Sequence, residues 1–171
     1  MSKIASMGYD PKIHHRQSAR LKDFDYSQAG AYFITFVTHN RLNIFGEIEN
    51  EIIQLNRFGK LISNEWTRLP QRFPGVVVDE FIVMPNHFHG IVILTDLKPV
   101  CNLAVIVGSM KSSTARLINA LRKAQGEPIW QRNYYEHIIR DEEDLNRIRE
   151  YILNNPVNWI NDEEYHKDTY S

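Results

Sequence analysis

Three residues of this sequence combine side-chain type and spacing in a way that can do chemistry: His87, His89 and Tyr151. The histidines stand in Met84-Pro85-Asn86-His87-Phe88-His89-Gly90, between the apolar runs 76–83 and 91–94. Both runs are short and β-branched, so both read as strands. Pro85-Asn86 is a turn signal between them, because proline fixes φ and asparagine tolerates unusual backbone angles. Side chains alternate faces along a strand, so His87 and His89 point one way and Phe88 points the other, toward the core. The two Cα atoms are then about 7 Å apart, which lets both imidazoles converge on one metal ion. A pair at this spacing also arises by chance as surface or core-edge histidines. Its face continues as Ile91 and Ile93, so it is not freely solvated. Two imidazoles there need partners, since unpaired buried polar groups are costly.

Tyr151 lies in Arg147-Ile148-Arg149-Glu150-Tyr151-Ile152-Leu153-Asn154-Asn155-Pro156. At helical spacing Arg147, Tyr151 and Asn155 share a face beside the apolar stripe. A tyrosine there either packs at the rim of the core or reaches into a cleft between helix and sheet. Two strand histidines, a helix tyrosine and a nearby carboxamide are the parts of a metal-assisted phosphoryl-transfer site. A tyrosine oxygen is a competent covalent nucleophile when activated. A metal ion polarises the phosphate, and the Asn155 carboxamide oxygen can complete its coordination. The reading requires the Tyr151 phenol within one bridging ion of the imidazoles. A ring more than about 10 Å away, with no mobile segment or second subunit to deliver it, would end it.

The elements that must position these groups are legible in order. Residues 1–29 have few apolar residues and read as an extended basic arm. Tyr32 to Thr38 is a strand of central composition. After a polar loop at Asn40-Arg41, residues 51–68 take helical spacing through Leu55, Phe58, Ile62 and Trp66, and Pro70 stops the helix. The hairpin 76–94 follows. Residues 103–123 are helical, with Leu103, Val107, Met110, Thr114, Leu117 and Leu121 as the inward stripe. Gly108 to Ser112 lacks the upstream glycine and leading strand of a phosphate loop. Ile129 to Ile139 reads as a strand with polar interruptions. Asp141 to Asp144 opens a last helix with acids in its first turn, Leu145, Ile148 and Ile152 form its buried stripe, and Pro156 ends it. The expected fold is α+β and ferredoxin-like (βαββαβ). It is an antiparallel sheet with the strands near 32 and 90 in the centre, an additional C-terminal helix carrying the tyrosine, and a basic N-terminal arm. The expected division is an arm at 1–29, a catalytic domain at 30–160 and an acidic tail at 161–171.

The 171 residues are 43% hydrophobic and carry a formal net charge of −1, so the chain as a whole is no basic nucleic-acid binder. The charge is unevenly spread. Residues 1–22 hold Lys3, Lys12, Arg16, Arg20 and Lys22 against Asp10. Residues 101–140 hold Lys111, Arg116, Arg122, Lys123, Arg132 and Arg140 against Glu127 and Glu136. The end from 141 is strongly acidic. Such asymmetry suits a polyanion-facing side and a solvating side, as well as ordinary surface scatter. The single cysteine, Cys101, excludes an internal disulfide and a multi-cysteine zinc site. It points, with the lack of a signal-peptide apolar region or membrane-spanning run, to a cytoplasmic protein.

Several stretches together resemble one family. These are Gln28-Ala29-Gly30-Ala31-Tyr32-Phe33-Ile34-Thr35, Met84-Pro85-Asn86-His87-Phe88-His89, Trp130 to His137, and Tyr151-Ile152-Leu153-Asn154-Asn155-Pro156. In this order they are similar to the single-tyrosine HUH transposases, especially the REP-associated tyrosine transposases. The resemblance implies a ferredoxin-like domain acting on single-stranded DNA, often at hairpins near palindromic repeats. It implies that Tyr151 attacks a phosphodiester, forming a covalent 5′-phosphotyrosine and releasing a 3′-hydroxyl. It implies that His87 and His89 hold Mg²⁺ or Mn²⁺, although two imidazoles alone would also suit Zn²⁺. Insertion-sequence relatives carry a glutamine four residues after the tyrosine as a further ligand, where this chain has the shorter Asn155.

His137 is a candidate supporting residue beside the site or a core-edge histidine. Tyr134 and Tyr135 are rival nucleophiles, better suited to packing or base stacking. Arg16, Arg20, Lys111, Arg116, Arg132 and Arg140 are candidate phosphate contacts, salt-sensitive if so. Two other readings stay open: a domesticated binder of single-stranded DNA hairpins without turnover, and a metal-dependent hydrolase with no covalent step. The oligomeric state is open too. Insertion-sequence relatives are homodimers that share the tyrosine between subunits, while some REP-associated relatives act as monomers.

Overall fold

The chain is described by a computed structural model covering residues 25, 27–97, 102–162 and 164. Arg16, Arg20, Cys101 and most of the basic arm and acidic tail lie outside the described residues. The main sheet has four strands, β1 (Gly30–Val37), β4 (Val76–Val83), β5 (His87–Leu94) and β6 (Tyr135–Ile139), in the order β4-β5-β1-β6. Every neighbouring pair is antiparallel. This is the ferredoxin-like arrangement, with β5 and β1 in the centre as their β-branched, aromatic composition requires. The helices are α1 (Arg57–Thr67), α2 (Leu69–Arg72), α3 (Leu103–Arg122) and α4 (Glu142–Leu153).

Alternation along the central strands divides the molecule into two cores. Tyr32, Ile34 and Phe36 of β1 and Phe88, Val92 and Leu94 of β5 face a large core with Ile62 and Trp66 of α1 and Ile106, Val107 and Met110 of α3. Phe33 and Ile91 face the opposite way, onto a smaller core closed by Ile148 and Ile152 of α4. The additional helix thus covers the face that the other helices leave open. Gly90 allows the large core to close. A Cβ there would lie 2.7 Å from ring atoms of both Phe88 and Trp66.

Three local expectations are corrected. Residues 51–55 are not helical: β2 (Gly46–Glu49) and β3 (Ile52–Leu55) form a separate hairpin. Asn50 and Glu51 between them both take positive φ, 49° and 64°, the geometry of a tight hairpin turn. The helix starts only after Asn56, whose side chain accepts from the Phe58 and Gly59 amides. Second, only Tyr135–Ile139 of the stretch 129–139 is strand, and Trp130 makes an isolated bridge to Thr38. The reason is Lys111, whose Nζ takes the carbonyls of Gln131, Arg132 and Asn133 at 2.7, 3.1 and 3.4 Å. Carbonyls drawn to one ammonium cannot serve a ladder. Third, the inward face of α3 runs through Ile118, and Leu121 is exposed.

Candidate active site

The hairpin β4–β5 presents His87 and His89 on the face beneath α4, and both are buried. Their ring centroids are 4.5 Å apart. Each imidazole is oriented from behind. His87 Nδ1 lies 2.9 Å from Asn86 Oδ1, so Nδ1 carries the proton that the carboxamide oxygen accepts. That leaves His87 Nε2 as a lone-pair donor facing the site, buried and with no hydrogen-bond partner among the described residues. Burial holds the His87 pKa below the ordinary imidazole value, opposed by the nearby Asp162 carboxylate and by Asn155. His89 Nδ1 lies 2.6 Å from Thr35 Oγ1 on the neighbouring central strand, and its Nε2 faces Tyr151.

Helix α4 brings Tyr151 to the same place. The phenol oxygen lies 3.5 Å from His89 Nε2 within the same chain. The tyrosine ring is edge-on to Phe33 and to the His89 imidazole, at centroid distances of 6.0 and 5.3 Å. The residue stays 37% exposed, so a substrate can approach it. Asp141 caps the helix by accepting from the Asp144 amide. Two polar clamps then fix it. Asp144 accepts from His137 Nε2 at 2.8 Å and from Arg147, tying the first turn to β6. Burial raises the Asp144 pKa, but these bonds outweigh it and hold the carboxyl below its ordinary value. Asp79 receives Nε and Nη2 of Arg149 at 2.8 and 2.6 Å, tying the middle of α4 to β4. Asp79 can reach because β4 carries a bulge between Val78 and Phe81.

Asn155 follows the helix and is buried. Its Nδ2 donates to Asp162 Oδ2 at 3.2 Å, while its Oδ1 has no hydrogen-bond partner among the described residues. Asp162 is the residue that sequence reasoning missed. One ligand atom from each of His87, His89 and Asp162 lies within 4.8 Å of the others. No periodicity marks this aspartate, because it reaches the hairpin through the turn after α4 and not along a regular element. Asn86 was visible in the sequence only as a turn residue.

The other candidates sit elsewhere. His137 does not touch the histidine pair and serves the α4 clamp. Tyr135 shares the face of Phe33, and burial pushes its phenol pKa up, whereas Tyr134 packs against the large core. Lys111 and Arg132 line a cleft of about 410 Å³ between α3 and residues 127–134, across the sheet from Tyr151. Arg116 and Arg140 are exposed. Among the described residues no helix is long and apolar enough to cross a membrane.

The family described as transposase, IS200-like, matches residues 27–155. A Haemophilus influenzae protein described as uncharacterized is 40% identical over 174 residues, covering 92% of this chain and 97% of its own. Among solved structures, a REP-associated tyrosine transposase bound to a REP hairpin aligns with TM-score 0.59 at 20% identity, covering 77% of this chain and 69% of that one. A Deinococcus radiodurans R1 structure, provisionally described as a transposase, aligns with TM-score 0.50 at 17% identity, over 78% of this chain and 95% of that one.

Proposed function

This chain belongs to the IS200-like transposase family, and from that premise we propose that it cuts and transfers single-stranded DNA at hairpin or palindromic repeats, with Tyr151 as nucleophile. The observation that carries the reading is the 3.5 Å approach of the Tyr151 oxygen to His89 Nε2 in one chain. Its neighbour His87 holds a buried lone pair with no partner among the described residues. The REP hairpin bound by the structural neighbour supports a DNA hairpin as partner.

The donor set fits a divalent cation. Two imidazoles held from behind and a carboxylate converge there, and the His87 tautomer leaves its Nε2 lone pair toward the site. The ion, Mg²⁺ or Mn²⁺, would polarise the phosphate and offset the charge that develops on it. The protein's own groups do the rest. Asn86 and Thr35 hold the imidazoles, in the manner of carboxylate or carbonyl partners behind metal-bound histidines. Phe33 and the two clamps on α4 hold the phenol. The Tyr151 oxygen bonds to phosphorus as the bond from phosphorus to the 3′-oxygen breaks. The phenolic proton is released, and the leaving oxygen departs as a 3′-hydroxyl. One phosphodiester replaces another, so a second hydroxyl can reverse the step without an external energy source.

The test is incubation of the full chain with a hairpin-bearing single-stranded oligonucleotide and Mn²⁺, followed by denaturing electrophoresis and mass measurement. A covalent protein–DNA species that Tyr151→Phe abolishes, with hairpin binding retained, is expected. Cleavage that survives Tyr151→Phe would transfer the chemistry to a hydrolytic mechanism. Binding with no adduct would leave a DNA-binding module.

A further inference from the structure

We propose that Asp162 is the third metal ligand of this site, and that Asp162 and Glu164 belong to a strap held in place by Asn86, Arg41 and Asn155. The assignment rests on reading the histidine pair as a metal site. It differs from the expectation that Asn155, four residues after the tyrosine, is itself the third ligand.

Asp162 brings a carboxylate oxygen within 4.8 Å of a ligand nitrogen from each histidine. A carboxylate is the harder and more strongly charged donor, and hard divalent cations select it over a neutral carboxamide. Its two oxygens are already supported. Oδ2 accepts from Asn155 Nδ2 at 3.2 Å, and Oδ1 accepts from the Glu164 amide at 2.7 Å. Ligating carboxylates are characteristically held in this way. Asn155 then serves the ion through Asp162.

The strap is fastened to the histidine hairpin as well as to the end of its own helix. Asn86 is fully buried, and its Nδ2 donates to the Glu164 carbonyl at 2.6 Å and to the Arg41 carbonyl at 3.1 Å. Its Oδ1 meanwhile receives His87 Nδ1. One carboxamide therefore fixes the tautomer of one ligand and the position of the segment that carries another. Arg41 closes the loop with an ion pair to Glu164 at 2.7 Å, both side chains being largely buried. Asn40 and Arg41 hold positive φ of 54° and 56°. Two consecutive non-glycine residues in that region mark a backbone kept in place by its surroundings. Here those surroundings include the strap.

The test is Mn²⁺ affinity of the full chain, measured by calorimetry and by the loss of the free-ion electron paramagnetic signal, without DNA. Asp162→Ala is expected to weaken Mn²⁺ binding at least tenfold, and Asp162→Asn to weaken it in the same direction. Arg41→Ala and Asn155→Ala are each expected to weaken it about threefold to tenfold, as supporting contacts do. Neither should add to the loss already caused by Asp162→Ala, since both act through that carboxylate. Circular dichroism of each metal-free variant establishes that it is folded. Asp162→Ala within twofold of wild type would overturn the proposal. So would a loss from Arg41→Ala or Asn155→Ala that persists undiminished without Asp162. His87→Ala separates the two levels: if it leaves Mn²⁺ affinity unchanged, the metal reading itself fails. If it abolishes binding while Asp162→Ala does not, only the strap assignment fails.

Discussion

Asp79, placed by a bulge in β4, grips Arg149 with both carboxylate oxygens two residues before Tyr151 on α4. The hydrogen bonds from Arg149 hold the Asp79 pKa below the ordinary carboxylate value. A carboxylate lowered in the folded state stabilises the fold above its unfolded pKa, near 4. That contribution is lost as pH falls through the folded value. Asp79→Asn should therefore lower the thermal midpoint at neutral pH by roughly 2–4 °C, for a partly exposed pair contributing about 1 kcal/mol. The gap from wild type should shrink below about pH 4. Adduct formation should fall more than hairpin binding. A midpoint gap unchanged down to about pH 3 would refute the electrostatic origin of the clamp.

Gly90 follows the histidine pair and faces the large core, where a methyl group would collide with Phe88 and Trp66. Gly90→Ala should cost about 1–3 kcal/mol in urea unfolding, the usual range for overpacking. A change below about 0.5 kcal/mol, the level of an ordinary surface substitution, would show that the two rings can move aside.

Lys111 gives a second pH signature. Burial pushes its pKa down from 10.5 to about 8. The unfolded chain keeps this proton up to about 10.5. Between those values folding releases a proton, and the unfolding free energy gains a positive slope with pH. Lys111→Met should flatten that slope in chemical unfolding between about pH 8 and 10.5. It should also loosen residues 131–133 in amide exchange, because their carbonyls lose the ammonium. An identical pH slope in both proteins would contradict the assignment.

Asn86→Ala removes a carboxamide that serves His87, the Arg41 carbonyl and the Glu164 carbonyl. Buried groups left unpaired make this a loss of about 2–4 kcal/mol. The variant should also bind Mn²⁺ more weakly, roughly tenfold or more. A stability change under about 0.5 kcal/mol would mean that Asn86 is a turn residue and nothing else.

The histidine pair was legible because strand alternation is local: two residues apart on one strand means one face. The tyrosine helix was legible because Asp141 and Pro156 mark its ends and Ile148 and Ile152 its inner face. The hairpin at 46–55 was not, because Leu55, Phe58, Ile62 and Trp66 keep helical spacing across a helix start that only the Asn56 cap reveals. The bulge in β4 was equally hidden, since Val78 and Phe81 face one core only after the period has slipped. Lys111 read as a candidate phosphate contact, and only the fold shows its three carbonyl partners. Asp162 had no pattern to betray it, because its position depends on a turn and on Asn86, seventy-six residues earlier in the chain.

The covalent chemistry proposed for Tyr151 requires that a DNA end enter and leave without melting the fold. Beneath α4 the smaller core holds five buried apolar residues, Phe33, Ile91, Ile139, Ile148 and Ile152, against the much larger cluster behind the sheet. Partial opening follows the element with the least buried surface. Residues 142–153 should then exchange their amides sooner than β5 does. On that expectation the strand at the centre of the sheet is a fixed anvil, and the helix carrying Tyr151 is the part that yields against it.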